Sequence, residues 1–181
     1  MILAPTRELA TQIAQTIREV LRSTPNIKVL TLCGGVPYKP QVVSLSHEAH
    51  IVVGTAGRVL KHINEGNLKL ENINTFVLDE ADKMLDMGFF DDISKVSSLL
   101  PKQRQTLLFS ATFSNEIKNL ALEFLDNPVN IEVEDEEQNI IKQVFYEVNS
   151  RDLKDNLIEK LIKKYQASST IIFCNQRVTC E

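Results

Sequence analysis

The chain has 181 residues, of which 43% are hydrophobic and 24% charged, and its formal net charge is −4. This balance is typical of a soluble globular protein, and the length predicts one domain plus part of another. The sequence has no apolar run near the roughly 20 residues that cross a bilayer and no signal-type N-terminus. We therefore predict a cytoplasmic protein without a membrane partner. The net charge neither supports nor excludes nucleic acid, because binding needs only a local basic face.

Short apolar runs alternate with segments of helical periodicity, which predicts an α/β fold with a parallel sheet and flanking helices. Strands are expected at the N-terminal "MIL" and at residues 29–33, 50–53, 75–78, 106–110 and 129–133. A first helix is expected after Thr6, a suitable N-cap, and it should end before Pro25. Three further helices are expected: one that starts near Arg58, one that ends before Pro101, and one that starts after an N-cap at Ser114.

The composition changes at residues 132–139, where "EVEDEEQN" places five carboxylates within six residues. A charge run of this kind is usually solvated, which indicates a linker. Beyond it the pattern predicts a strand at 142–148, a helix that ends near Tyr165 and a strand at 170–174. We therefore assign residues 1–131 to a first domain, 132–141 to an acidic linker and 142–181 to the start of a second α/β domain.

Three carboxylates, Asp79, Glu80 and Asp82, follow the apolar run "TFVL". Their burial without partners would be costly, so the strand is expected to end at Leu78. Ligands of open parallel sheets bind beyond the carboxyl ends of the strands, where an Asp can hold magnesium and a Glu can direct water. An ordinary polar turn would also place two acids here. A ligand site is favoured over such a turn because polar or glycine-rich segments follow the other predicted strands as well: "APTRE", "CGG", "GTAGR" and "SAT".

These tips form an ordered set of motifs that resembles the DEAD-box family of ATP-dependent RNA helicases. The set comprises "PTRELA" (5–10), "GG" (34–35), "TAGR" (55–58), "DEAD" (79–82), "SAT" (110–112) and "IIFCNQ" (171–176). One tetrapeptide alone would be weak, whereas six motifs in family order are specific. The resemblance implies a RecA-like sheet of the P-loop NTPase type, followed by the start of a second RecA-like domain. It also implies ATP-dependent unwinding or remodelling of RNA duplexes and RNA–protein complexes by the parent protein.

The resemblance implies a role for each motif, with ATP and Mg²⁺ as cofactors. Asp79 would hold Mg²⁺ through water, Glu80 would activate the hydrolytic water, and both would bind the nucleotide together with Asp82. Coupling of the nucleotide to the domain arrangement would fall to Asp82, Ser110, Ala111 and Thr112. The RNA track would consist of Pro5, Thr6, Arg7, Glu8, Gly34, Gly35, Thr55, Gly57 and Arg58. Contacts of this kind grip the RNA backbone with little base specificity, and accessory partners are not identified by these motifs.

Two features depart from the family pattern or fall outside its motifs. Ala56 stands where the family usually has Pro, which would pre-set the turn before the helix, so we expect a modestly looser turn. His47, His50 and His62 lack metal-like spacing, and we predict that they are surface or helix-face residues.

The family's phosphate-binding loop, G-x-x-x-x-G-K-[ST], is not found, because the sequence contains no Gly-Lys pair. The chain also stops before the later motifs that would supply an arginine finger. We therefore predict an interior fragment that does not hydrolyse ATP efficiently by itself and is marginally soluble. A non-catalytic RNA- or partner-binding module is the main alternative. An unrelated α/β nucleotide binder with chance matches is a further alternative, although it leaves the motif order unexplained.

Overall fold

A computed structural model describes residues 1–112, 114–133 and 142–175. The chain divides into two compact units, Met1–Asn130 and Ile131–Glu181. The first unit contains the sheet and six of the helices, and the second contains one helix among its described residues. Within the described ranges, no helix combines the length and the hydropathy that a membrane span requires.

The first unit is built on a sheet of five strands in the order β2-β3-β1-β4-β5. The strands are β1 (Ile2–Leu3), β2 (Val29–Leu32), β3 (Ile51–Gly54), β4 (Thr75–Leu78) and β5 (Gln105–Leu108). Every pairing is parallel, and the two-residue β1 lies at the centre, where Ile2 is in register with both Val53 and Val77. The predicted parallel sheet is confirmed. Since all strands run in one direction, all five carboxyl ends meet at one edge.

The helices of the first unit are α1 (Arg7–Val20), α2 (Tyr38–Leu45), α3 (Ala56–Asn64), α4 (Ala81–Asp86), α5 (Phe90–Leu99) and α6 (Asn115–Phe124). Both predicted N-caps are confirmed, because the Thr6 side chain accepts a hydrogen bond from Leu9 N and the Ser114 side chain accepts one from Ile117 N. Helix α3 begins two residues before the predicted Arg58. Helices α2 and α4 were not expected, because α2 contains Pro40 and α4 has only six residues.

Helices cover both faces of the sheet. The larger core cluster joins the sheet to residues of α3 to α6, including the fully buried Phe76, Met84 and Ile117. The smaller cluster places α1 against the other face through Ala10 and Ala14. Neighbouring residues of a strand point to opposite faces, so a β-strand such as β3 contributes Val52 to one cluster and Val53 to the other. The flanking helices therefore hold the strand ends, and the loops that follow them, in fixed positions.

Three predicted strands are not found. Residues 129–133, 142–148 and 170–174 form no strand, and their apolar side chains include Val129, Phe145 and Phe173 at 85%, 91% and 92% exposure. Alternation and β-branched residues favour a strand only where a neighbouring strand accepts its hydrogen bonds, and these segments have no such ladder in the described residues. The predicted helix of the second unit is confirmed as α7 (Arg151–Tyr165). Linker residues 134–141 and residues 176–181 lie outside the described ranges.

Candidate functional site

The predicted polar tips lie together at the carboxyl edge of the sheet. Backbone hydrogen bonds tie the tips to the neighbouring strands: Asp79 N donates to Leu3 O at 3.0 Å, and Ala81 N donates to Phe109 O at 2.9 Å. The turn after β4 is thereby held between the ends of β1 and β5. The carboxylates of residues 79–82 consequently sit in a rigid setting, as a site for chemistry on a charged ligand requires.

A left-handed residue sets the direction of the acidic turn. Glu80 has φ +51° and ψ +52°, a conformation that is uncommon outside glycine, asparagine and aspartate. Its N–H donates to Asp79 Oδ1 at 3.0 Å, which orients the Asp79 carboxylate. Its own carboxylate lies 3.0 Å from Lys83 Nζ. Backbone strain at a ligand-facing turn is a recognised feature of functional sites, because the surrounding structure must hold it in place.

Asp82 connects the turn after β4 to the segment after β5. Its Oδ2 accepts hydrogen bonds from Thr112 N at 3.2 Å and Thr112 Oγ1 at 3.1 Å, while Oδ1 accepts one from Lys83 N at 3.0 Å. Ser110 Oγ donates to Thr112 O at 2.8 Å. Partial burial alone would raise the pKa of the Asp82 carboxyl, but the hydrogen bonds from Lys83 and Thr112 outweigh it and lower the pKa. Three of the four predicted coupling residues are thus joined by hydrogen bonds, and Ala111 lies between Ser110 and Thr112.

The residues at the tip of β4 fit a magnesium ion that is bound with a nucleotide. Within the described residues, no group of three or more His, Cys, Asp or Glu side chains could form a metal site. Mg²⁺ commonly takes one or two carboxylates and completes its shell with water and substrate phosphates. Asp79 meets that requirement, because Glu80 N engages Oδ1 and no hydrogen bond among the described residues engages Oδ2. A single carboxylate at a strand end therefore agrees with a shared, water-rich ion site.

The first predicted RNA segment lies at the N-terminus of α1. Pro5 is buried, so its ring packs inside the fold, and Thr6 caps the helix. Arg7 and Glu8 are exposed and form an ion pair at 3.3 Å. Gly35 has φ +73°, and a Cβ built there would lie 2.6 Å from Arg7 Nη1. Glycine at this position therefore permits both the turn and the close approach of the guanidinium group.

The second predicted RNA segment lies at the start of α3. Arg58 Nη1 donates to Val36 O at 3.2 Å, so the arginine reaches the segment that follows the glycine pair after β2. Gly34 has open space around its Cα, and Gly57 is exposed. Thr55 is the N-cap residue of α3, without a side-chain capping bond. Both RNA segments therefore flank the tip of β2.

Cys33 lies near residues of both predicted RNA segments. Burial raises the pKa of the Cys33 thiol, although a backbone hydrogen bond from Thr55 and the positive charges of Arg58 and Arg7 oppose the shift. Both arginines therefore act on the same buried sulfur at the end of β2. The fold places Arg7 and Arg58 beside the segment that carries Gly34 and Gly35 at one strand end.

The three histidines differ in their exposure. His47 and His50 are exposed, as predicted, but His62 has no exposed surface and contacts Gln41 and Tyr38. Sequence reasoning missed Gln41 and Tyr38 because α2 was not predicted, so their side chains had no assigned face. Arg58 and His62 are four residues apart on α3, which was the available signal that they share a face.

The parallel sheet, the helices on both of its faces and the polar residues at its carboxyl edge, where ligands of such sheets bind, define the class as a RecA-like α/β domain. The sequence model for "DEAD/DEAH box helicase" matches residues 1–120. The chain belongs to the DEAD/DEAH box helicase family.

Several known proteins resemble the chain over most or all of its length. The ATP-dependent RNA helicase DbpA of Escherichia coli is 44% identical over 182 residues, covering 100% of this chain and 40% of DbpA. The crystal structure of a DEAD box protein from the hyperthermophile Methanococcus jannaschii has a TM-score of 0.70 and 40% identity, covering 98% of this chain and 47% of that one. A Saccharomyces cerevisiae structure of dbp5 bound to nup159, gle1, ip6 and adp has a TM-score of 0.63 and 36% identity, covering 70% of this chain and 32% of that one. The chain spans less than half the length of each of these relatives.

Proposed function

We propose that the protein to which this chain belongs is an ATP-dependent RNA helicase that unwinds or remodels RNA duplexes and RNA–protein complexes. The observation that carries the proposal is the link from Asp82 to Thr112, beside Asp79 and Glu80 at the carboxyl edge of the sheet. It joins a carboxylate turn suited to a nucleotide to the segment after β5. Relatives that are named ATP-dependent RNA helicases support this proposal.

In the proposed site, Asp79 would hold Mg²⁺ and Glu80 would orient or deprotonate the attacking water. The ion would supply charge neutralisation at the phosphates of ATP. Lys83 Nζ lies 3.0 Å from Glu80 Oε2 in the same turn. The yeast relative is bound to adp in its structure, which supports nucleotide binding by this protein. Asp82, Ser110, Ala111 and Thr112 then report nucleotide occupancy through hydrogen bonds.

The proposed RNA track runs over the tips of β1, β2 and β3. Arg7 and Arg58 provide charged donors, and Gly34, Gly35 and Gly57 let the backbone approach phosphates. Thr6 and Thr55 stand at helix N-termini, whose unpaired N–H groups favour anions. Because these are backbone contacts, the track accepts RNA with little sequence preference. Pro5 and Glu8 contribute to the shape of the α1 entry.

The domain assignment also remains a proposal. Residues 1–131 would form part of an N-terminal RecA-like ATP-binding domain, 132–141 an acidic linker, and 142–181 the start of a C-terminal RecA-like domain. The division into units Met1–Asn130 and Ile131–Glu181 supports a boundary near this position. A cytoplasmic location stays a prediction.

The test of the catalytic role is Glu80→Gln in the full-length protein, with the exposed Glu71→Gln as the matched control. We expect Glu80→Gln to bind ATP normally and to lose RNA-stimulated hydrolysis, because the amide cannot accept the proton from water. RNA-stimulated phosphate release and binding of a fluorescent ATP analogue are the measurements. Normal hydrolysis would remove Glu80 from this role. If the unaltered full-length protein binds RNA without hydrolysing ATP, a non-catalytic RNA-binding module is the correct function.

A further inference from the structure

A polar cluster behind the proposed RNA track is made of Gln41, Arg58, His62, Tyr38 and Asn67, which we call the Gln41 cluster. Gln41 is 7% exposed and His62 is fully buried, so burial without partners would be costly. His62 Nε2 pairs with Gln41, whereas His62 Nδ1 has no hydrogen-bond partner among the described residues. None of these side chains except Arg58 belongs to a motif assigned above.

Gln41 makes three hydrogen bonds in this cluster. Its Oε1 accepts from Arg58 Nη1 at 3.0 Å and from His62 Nε2 at 2.9 Å, and its Nε2 donates to Cys33 O at 3.1 Å. The amide has only one orientation that satisfies all three, since the flipped amide would place donors against Arg58 and oxygen against a carbonyl. The same reasoning places the proton of neutral His62 on Nε2. One side chain thereby joins the end of β2 to the guanidinium group of Arg58.

Aromatic stacking holds the other side of the cluster. The Tyr38 and His62 rings stack with centroids 4.3 Å apart and planes 16° apart. Arg58 Cζ lies 5.4 Å from the centre of the Tyr38 ring, and Asn67 Nδ2 donates to Tyr38 OH at 3.0 Å. Arg58 is therefore held by an acceptor, a carbonyl and an aromatic ring, which restricts its rotamers.

We propose that Gln41 is a positioning residue for RNA binding: it aligns Arg58 with the glycine-rich tip after β2, and His62 holds the Gln41 amide. The argument is geometric. An arginine side chain has about 2 kcal/mol of rotamer entropy, part of which is lost when it grips a phosphate. The Gln41 cluster removes that freedom before RNA arrives, and it leaves the other guanidinium donors available. The inference rests on the proposed RNA track and adds two residues that do not themselves contact RNA.

The test is a double-mutant cycle on RNA affinity in the full-length protein. Gln41→Met keeps the length and volume of the side chain and removes all three hydrogen bonds. Affinity for a fluorescein-labelled poly(U) oligonucleotide is measured by anisotropy across a salt series for Gln41→Met, Arg58→Ala and the double variant. The exposed Arg22→Ala is the matched control for loss of one positive charge. Thermal unfolding of each variant is measured in parallel.

We expect Arg58→Ala to weaken binding about tenfold and to reduce the magnitude of the salt slope by about 0.7, the value for one phosphate of a single strand. Gln41→Met should weaken binding about three- to tenfold, and it should have no further effect when Arg58 is already alanine. A loss of stability alone would not produce that non-additivity or a change in salt slope.

Every other outcome contradicts either the proposed RNA track or the positioning role of Gln41. If Arg58→Ala binds RNA normally, the phosphate contact in the proposed RNA track is wrong. If Arg58→Ala weakens binding but Gln41→Met does not, or if the two effects add, the positioning role is wrong and the RNA track stands. If Gln41→Met does not fold, His62→Phe replaces it in the cycle, because phenylalanine keeps the ring stacked on Tyr38 and removes the Nε2 donor. That variant should lose about two- to threefold in affinity with the same non-additivity, and a normal affinity would refute the proposal.

Discussion

The hydrogen bonds between Asp82 and Thr112 allow a quantitative prediction of coupling between the turn after β4 and the segment after β5. Asp82 Oδ2 accepts both Thr112 N and Thr112 Oγ1, at 3.2 and 3.1 Å. Hydrogen bonds to charged groups are worth about 1.5–3 kcal/mol each, and partial exposure of this pair favours the low end. We expect Asp82→Ala to cost about 2 kcal/mol of unfolding free energy and Thr112→Val about 1 kcal/mol.

The double variant decides whether these costs arise from the same contact. Thr112→Val should cost almost nothing when residue 82 is already alanine, which gives a coupling energy of about 1 kcal/mol. Urea unfolding followed by far-UV circular dichroism is the assay, because the chain has no tryptophan for fluorescence. If Thr112→Val costs the same with and without Asp82, the hydrogen bond does not stabilise the turn and the reasoning is refuted.

The pH dependence of this contact has a definite sign. The pKa of Asp82 is lower in the folded chain than its ordinary value of 3.8. The stabilisation is therefore complete above the unfolded-state pKa and is lost as the pH falls through the folded-state pKa. The stability difference between the wild-type chain and Asp82→Ala should shrink once the pH falls below about 3.8. If the stability difference between the two chains stays constant as the pH falls well below about 3.8, the hydrogen-bond account is wrong.

Three other changes test local features of the fold. Gly54→Ala should destabilise the chain by about 2–3 kcal/mol, because its Cβ would lie 2.4 Å from a backbone oxygen, whereas Gly34→Ala meets nothing within 4 Å. Ala56→Pro should raise the unfolding free energy by about 0.4–1 kcal/mol, since proline suits the first position of a helix and restricts the unfolded chain. The wild-type chain should lose more stability on acidification than a His62→Phe variant, because burial, with the charge of Arg58, lowers the pKa of His62 from 6.5.

The measurements for these changes are urea or thermal unfolding of the variant and the wild-type chain. If Gly54→Ala and Gly34→Ala lower the unfolding free energy equally, the close approach of backbone at Gly54 does not cause the loss of stability. A loss of stability in Ala56→Pro would show that the α3 entry does not have the backbone of a first helical turn. For His62, the lowered pKa means that stability is complete above about pH 6.5 and falls below it. Identical acid profiles of wild type and His62→Phe would contradict that statement.

Much of the fold was readable from local sequence signals. The N-caps at Thr6 and Ser114 were predicted because a hydroxyl there satisfies an otherwise unpaired N–H. Four of the predicted internal strands lie where apolar runs are flanked by helical segments, and they form the sheet. The motif order predicted the family, and five of the six motifs stand at the tips of the five strands.

Other features depended on contacts between distant residues. The segment "VNIEV" has the same alternation as a true strand, but it has no ladder partner among the described residues and remains exposed. His62 is buried where Gln41 Oε1 accepts a hydrogen bond from its Nε2 and Tyr38 stacks on its ring, and both partners lie on α2, which the pattern did not predict.

The sequence by itself determined which chemical groups stand at the ends of the strands. Residue types and their order along the chain are enough to identify carboxylates, glycines and arginines there. Tertiary structure alone decided which of these groups touch. Asp82 meets Thr112 across 30 residues, and Arg58 meets Gln41 across 17. The physical reason is that a parallel sheet brings the ends of strands together irrespective of their separation in sequence, while hydrogen bonds between side chains require atoms within about 3 Å. The separation of two residues in the sequence does not determine whether their side-chain atoms come within hydrogen-bond distance.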